Sequence, residues 1–312
     1  MNVAITGSHG YIGSVLRKEL TVRGYNTICC DNKPLAGDLR YLKNVATCSF
    51  DDDTFIDMLI EYDCETIFHL AASSLLGPSA TDPLLYYYNN TARTINMIKK
   101  LADRGWRGHI VFSSTAAVYG DQLTEFVTEN SPIQPCNFYG RSKAACEQAL
   151  GVAHMYGIKT TIFRYFNVAG AYDDVGQDFG EPHIITRLCN GAAGRNLLYI
   201  YGNDYPTPDG TCVRDYVHVR DVCGAQIFAM ENQIEGTYNL GTLSGTSVFE
   251  LIDAFEVAND ITVHCQIDGR REGDPARLVA LPNEFISKGF KYKHSQLDNI
   301  VKTAWEYFQN GL

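Results

Sequence analysis

Positive charge is scarce in this sequence. Lys and Arg total 26 against 36 Asp and Glu, a formal net charge of -10. That balance offers no broad basic field, which argues against nucleic-acid binding by bulk charge. A small anionic ligand would have to rely on local cations or helix N-termini. Long apolar runs are missing too: no stretch reaches the roughly 18 residues of a membrane span. The opening MNVAITGSHG lacks a basic lead and its apolar run stops at Thr6, so no secretory signal is expected. Among the 10 cysteines none forms Cys-x-x-Cys, and Cys29 and Cys30 stand adjacent in an apolar run. No zinc site is legible, and the expectation is reduced, buried thiols in a cytoplasmic protein. Internal repeats and low-complexity tracts are absent as well.

What is present is a folded composition, 45% hydrophobic and 20% charged over 312 residues, long enough for two coupled lobes. Apolar runs at 2–6, 25–31, 66–71, 109–114 and 160–167 alternate with helical patterns. One of these sets Ile12, Val15, Leu16 and Leu20 on a single face and ends at Arg23 and Gly24. Strands alternating with helices predict an α/β fold, a Rossmann-type doubly wound parallel sheet. Beyond about residue 166, Gly, Asp and Pro crowd 170–182 and 202–212. The predicted division is a dinucleotide-binding domain over 1–166 and a smaller C-terminal α/β substrate lobe over 167–312, with 216–241 packing back on the first.

TGSHGYIG places Gly7, Gly10 and Gly13 between a strand and a helix. This G-x-x-G-x-x-G spacing allows a tight turn, close approach of backbone to a pyrophosphate and close packing of the helix. Bare glycine strings also arise in surface turns. Here the strand, the helix and a downstream acid, Asp31, complete the pattern. A carboxylate there accepts from ribose hydroxyls and repels a 2′-phosphate, so NAD is preferred over NADP. The three aspartates at 51–53 read as a solvated helix N-terminus.

NFYGRSKAACE puts Tyr139 and Lys143 one helical turn apart behind the capping residue Asn137. A nearby ammonium is expected to lower the phenol's pKa from its ordinary value near ~10, fitting it to move a proton on and off an alcohol. An isolated Y-x-x-x-K is usually a surface pair. VFSSTAAVYG shifts that balance by setting Ser113, Ser114 and Thr115 at a strand end, where α/β ligands bind. In this order the motifs resemble the extended short-chain dehydrogenase/reductases. The resemblance implies a catalytic triad of Thr115, Tyr139 and Lys143, with Lys143 also on the nicotinamide ribose. It further implies NAD contacts from Gly7, Gly10, Tyr11, Ile12, Gly13, Asp31, Asn32, Ala71, Asn90, Ser113, Tyr139, Lys143 and Tyr165.

Residues 201–221 (YGNDYPTPDGTCVRDYVHVRD), RYFNVAGA, YNLGT, RREGDPA and DPLLYYYNNT are similar to the UDP-glucose 4-epimerase family, from residue 1 to about 280. The last stretch matches loosely. The resemblance implies a UDP-sugar held by Thr115, Asn167, His183, Ile184, Tyr199, Tyr201, Arg214, Arg271 and Asp274, the arginines and Asp274 on the diphosphate and uridine ribose. Planar paired donors suit a diphosphate, although GTCVRDY and GRREGD also place an Asp beside each Arg for plain ion pairing. The implied reaction interconverts UDP-glucose and UDP-galactose. Tyr139 takes the proton of the 4-hydroxyl as hydride leaves C4 for NAD, the keto sugar turns, and hydride returns to the other face.

Three departures are visible. Ser74 stands where some members carry lysine, no adenine-binding aspartate is evident near 49–53, and Leu278 occupies the sugar-size gate. UDP-N-acetylglucosamine and UDP-pentose 4-epimerases are therefore alternatives. A 4,6-dehydratase lacks its acid pair, since Ala116 and Ala117 follow Thr115. The intact triad weighs against a non-catalytic dinucleotide sensor. Leu84, Tyr88, Thr91, Ile95, Ile98 and Ala102 form a helical stripe that reads as core. The resemblance makes that helix, with the Tyr139 helix, a homodimer bundle.

Overall fold

The computed structural model describes residues 1–33, 44–122, 124–180, 182–271 and 273–311. Its strands in chain order are β1 (Asn2–Thr6), β2 (Asn26–Asp31), β3 (Val45–Thr47), β4 (Thr66–His69), β5 (His109–Thr115), β6 (Lys159–Tyr165), β7 (Asn167–Ala169), β8 (Leu198–Tyr201), β9 (Val213–His218), β10 (Gly236–Leu240), β11 (Gly245–Ser247), β12 (Cys265–Asp268) and β13 (Arg277–Leu278). A seven-stranded sheet runs β10-β6-β5-β4-β1-β2-β3. β1 pairs in parallel with β2 and β4, and β4 with β5. These strands are short runs of branched and aromatic residues buried on both faces, as covered parallel sheets require. Chain order reverses between β1 and β4, and the C-terminal ends of strands at such a point are where α/β sheets receive ligands.

The chain forms two compact units. The first comprises Met1–Val118, Ile133–Arg164 and Cys223–Tyr238. Ile28, Ile67, Ile110, Phe112, Met97 and Trp106 belong to its core, and the Trp106 indole N–H donates to the Cys64 carbonyl at 2.7 Å. The second comprises Tyr119–Pro132, Tyr165–Val222 and Asn239–Leu312. In it β9 lies between β11 and β13 and also pairs with β7, while β8 pairs with β12. Its core gathers Tyr216, Leu251, Phe255, Ile300 and Phe308. The predicted boundary at 166/167 moves to 164/165, and the returning segment shortens to Cys223–Tyr238. Tyr119–Pro132 changes sides for a hydrogen-bonding reason. Val127 N–H donates to the Val279 carbonyl at 2.8 Å, and Tyr119 OH donates to Asn239 Oδ1 at 2.7 Å.

The stripe predicted as core departs from its pattern. The helix there is interrupted: an α turn over Pro83–Tyr86, a π turn over Tyr87–Ala92, then α-helix over Arg93–Asp103. The buried face runs through Tyr86, Asn90, Thr94, Met97 and Leu101 instead. Ile98 is buried at 6%, but Leu84, Leu85, Tyr88 and Ile95 are 77, 45, 57 and 49% exposed. At 51–53 the reading holds, with Asp52 capping the Asp53–Glu61 helix by accepting from Thr54 N–H at 3.0 Å. No described helix is long and apolar enough to cross a membrane.

Candidate active site

In the first unit, β1 runs into the glycine turn. Gly7 has φ +70, and its N–H donates to the Cys30 carbonyl at 2.8 Å, tying the turn to β2. A Cβ on Gly7 would lie 2.8 Å from the Ala71 backbone N, and one on Gly13 only 2.1 Å from the Gly7 carbonyl oxygen. Only glycine fits at either place. Gly10 caps the Tyr11–Val22 helix without a side-chain bond, which leaves that N-terminus to an anion. Asp31, at the end of β2, accepts from His9 N–H at 2.9 Å and Lys33 N–H at 3.0 Å. A carboxylate has about four acceptor positions, so it keeps capacity for ribose hydroxyls. Tyr11 and Ile12 are half-buried, and Asn32 is exposed beside Asp31.

A relay runs behind this turn. Ala71 N–H donates to Thr6 Oγ1 at 3.2 Å, and Thr6 meets His69 Nδ1 at 2.7 Å. His69 Nε2 meets Thr94 Oγ1 at 2.9 Å, and Thr94 donates to the Asn90 carbonyl. Burial, then the Lys143 charge, push His69 down to about 3, so it is a neutral bridge. Asn90, predicted as an NAD contact, is 1% exposed. Its amide accepts from Ser73 N–H at 2.7 Å and donates to the Ser73 carbonyl and Ser142 Oγ at 3.0 Å each. It therefore shapes the chain after β4 from within.

The Phe138–Gly151 helix begins as expected, with Asn137 accepting from Gly140 N–H at 2.7 Å. It faces the end of β5. Lys143 is 2% exposed. Its Nζ donates to the Ser113 carbonyl at 2.7 Å and sits 4.5 Å from the centre of the Phe112 ring. Tyr139 is half-buried, and the Thr115 side chain lies close enough to favour its ionised form. The titration order differs from the expectation. Burial pushes Tyr139 up to about 12, and the nearby Thr115 hydroxyl only partly offsets it. Burial brings Lys143 down to about 8, opposed by Cys146 and Glu147. Desolvation outweighs the attraction of phenolate for ammonium, because the ammonium is already engaged by a carbonyl and a ring face.

The second unit assembles the arginines. Asp274 Oδ2 receives Arg271 Nε at 3.0 Å, and its Oδ1 lies 3.9 Å from Arg214 Nη2. One carboxylate thus bridges both predicted cations. The neighbouring Asp215 does not pair with Arg214 in this way. It is fully buried and accepts from the backbone N–H groups of Thr242, Leu243 and Ala280. Tyr201 lies between two guanidiniums, Arg271 at 4.6 Å and Arg187 at 4.8 Å from its ring centre. Arg187 was not singled out from sequence. Its only signal is a place one turn after Ile184, and it also donates to the Tyr199 carbonyl. Burial lowers its pKa, as does the Arg271 charge, while Tyr201 raises it. Two cations over one ring form a surface suited to anions. Asn167 opens β7 opposite Tyr216, and Leu278 pairs with Arg214 in the β13–β9 register. His183 caps the Ile184–Ala192 helix and is exposed, and Tyr165 is buried at the end of β6.

The model of the NAD dependent epimerase/dehydratase family matches residues 3–241. The chain belongs to this family. Among its relatives, the UDP-glucose 4-epimerase of Corynebacterium glutamicum is 34% identical, with 98% of this chain and 95% of that protein covered. A UDP-glucose 4-epimerase of Stenotrophomonas maltophila, solved with NAD and formylated UDP-arabinopyranose, superposes with a TM-score of 0.93 at 31% identity, covering 100% of this chain and 98% of that one. The Brucella ovis enzyme in complex with NAD gives 0.91 at 35%, with 98% of each chain covered. The family together with these UDP-glucose 4-epimerase relatives makes this protein an NAD-dependent epimerase, and the turn of Gly7 and Gly13, where no side chain fits, suits the close approach of that cofactor.

Proposed function

We propose that this chain interconverts UDP-glucose and UDP-galactose, with NAD in the first unit and the UDP-sugar held by the second. The observation that carries the reading is the buried Lys143, one helical turn from Tyr139, with its Nζ on the Ser113 carbonyl two residues before Thr115. NAD, bound at Gly7, Gly10, Gly13 and Asp31, with Tyr11, Ile12, Asn32, Ala71, Ser113 and Tyr165 around it, supplies a reversible hydride acceptor. Tyr139 takes the proton from the sugar 4-hydroxyl and later returns it. Thr115 holds that hydroxyl in line with the phenol. Lys143 keeps positive charge near the phenolate as it forms, opposing a burial that favours the neutral phenol. Arg214 and Arg271 neutralise the diphosphate, Asp274 takes a uridine ribose hydroxyl, and Asn167, His183, Ile184, Tyr199 and Tyr201 enclose the nucleotide.

The sugar pocket has a second reading. Leu278, half-buried beside Arg214, is smaller than an aromatic gate, and a structural neighbour carries a UDP-pentose derivative. UDP-pentose and N-acetylated sugars are the alternative substrates. The exposed Leu84, Leu85, Tyr88 and Ile95 support a homodimer. Ten free thiols support a cytoplasmic setting, and the net charge of -10 speaks against a nucleic-acid partner. The deciding experiment gives purified protein UDP-galactose with no added nucleotide and follows UDP-glucose by chromatography. Product is expected. No product even with NAD supplied would overturn the substrate assignment.

A further inference from the structure

The helix bearing Tyr139 and Lys143 carries a third polar group one turn further on. Glu147 follows Lys143 by four residues, on the same face. Its carboxylate is held from two sides. Ser114 Oγ donates to Oε1. Arg164, from β6, donates through Nη2 to Oε2 at 2.7 Å and through Nε to the two oxygens at 3.1 and 3.2 Å. The Arg164 and Glu147 side chains are only 8 and 9% exposed. A pair this buried costs desolvation that an apolar pair would not, so net stability is a weak reason for it. Its position gives a better one. Ser114 lies between Ser113, whose carbonyl receives Lys143, and Thr115, whose side chain favours the ionised form of Tyr139.

We propose that Glu147 is the positioning residue of the catalytic pair. Gripping Ser114 and anchored by Arg164, it fixes β5 against the helix so that Thr115 meets Tyr139 and the Ser113 carbonyl meets Lys143. This rests on the triad reading given above.

Glu147 has an electrostatic consequence as well. Lys143 is faced on its own helix by Tyr139, Cys146 and Glu147, from β4 by His69, and from β5 by the Phe112 ring and the Ser113 carbonyl. His69 is held neutral by burial, and burial pushes the Cys146 thiol up. Glu147 itself is faced by Arg164 from β6 and Ser114 from β5. It is the carboxylate that favours the Lys143 ammonium against the cost of burial.

The test uses full-length protein with UDP-galactose, comparing wild type, Ser114→Ala, Glu147→Gln and Tyr139→Phe from neutral to alkaline pH. Ser114→Ala and Glu147→Gln are expected to lower kcat by roughly 10- to 100-fold with KM unchanged, the scale of a misplaced catalytic group. Glu147→Gln should also move the alkaline limb of the kcat profile to lower pH, while Ser114→Ala leaves that limb in place. Ser114→Ala keeps the buried Glu147–Arg164 pair, so it decides the matter even if Glu147→Gln fails to fold. Wild-type kcat in Ser114→Ala, or an unmoved limb in a folded Glu147→Gln, overturns the proposal. If Tyr139→Phe remains active, the triad reading fails instead, and this proposal with it.

Discussion

Tyr139 and Lys143 present a problem of charge at the scale of single residues. Burial sets the phenol near 12 and the ammonium near 8, so the protonated lysine is the form at risk in mildly alkaline solution. Activity that needs the ammonium should therefore decline as pH rises through about 8, visible in a kcat–pH profile. Tyr139→Phe should lower kcat by roughly 100- to 10,000-fold while leaving bound NAD, read from its absorbance after denaturation, unchanged. Gly13→Ala should act the other way round. Its Cβ would meet the Gly7 carbonyl at 2.1 Å, backbone against backbone, so the purified protein should carry little or no NAD and melt at lower temperature. The glycine string and the Y-x-x-x-K were legible because both are local in sequence. The pKa order and Arg187 were not. Burial is set by tertiary packing, and Arg187 gains its meaning from Tyr201, brought by a separate strand.

Elements carry these residues into place, and their ends matter. Asn137→Ala removes the cap bond to Gly140 N–H, worth about 1 kcal/mol. Because Tyr139 sits in the first turn, kcat should fall by more than the small loss in melting temperature would suggest. The interrupted helix over 83–103 makes a separate prediction. Leu84→Glu with Tyr88→Glu should convert the proposed dimer to a monomer in light scattering, since both side chains are exposed and apolar. An unchanged dimeric mass would place the interface elsewhere. Periodicity led to the opposite reading of this stripe, because spacing marks a face without saying which face packs inward, and here Tyr86, Asn90, Thr94, Met97 and Leu101 do.

Across the whole molecule, the predicted parallel sheet is present, and its strands lie close to the apolar runs that suggested them. The division into units was less legible, since Val127 finds its partner at Val279, a pairing no local pattern announces. Asp215 shows how distant segments are tied together. It binds Thr242, Leu243 and Ala280 to β9, and burial, outweighing those bonds, raises it from 3.8 to about 6. Between these values the folded chain holds more proton than the unfolded one, so this contribution to stability falls as pH rises through the window. Urea titrations across that window should show this downward contribution in wild type relative to Asp215→Asn. The π turn over Tyr87–Ala92 reaches furthest. It holds Asn90, which clamps Ser73 behind the glycine turn, and it follows directly on the exposed Leu84 and Leu85. Deleting one residue there would rotate everything before it by about 100°. The proposed dimer face and the clamp on Ser73 thus meet in the same six residues, so an insertion or deletion there would disturb both.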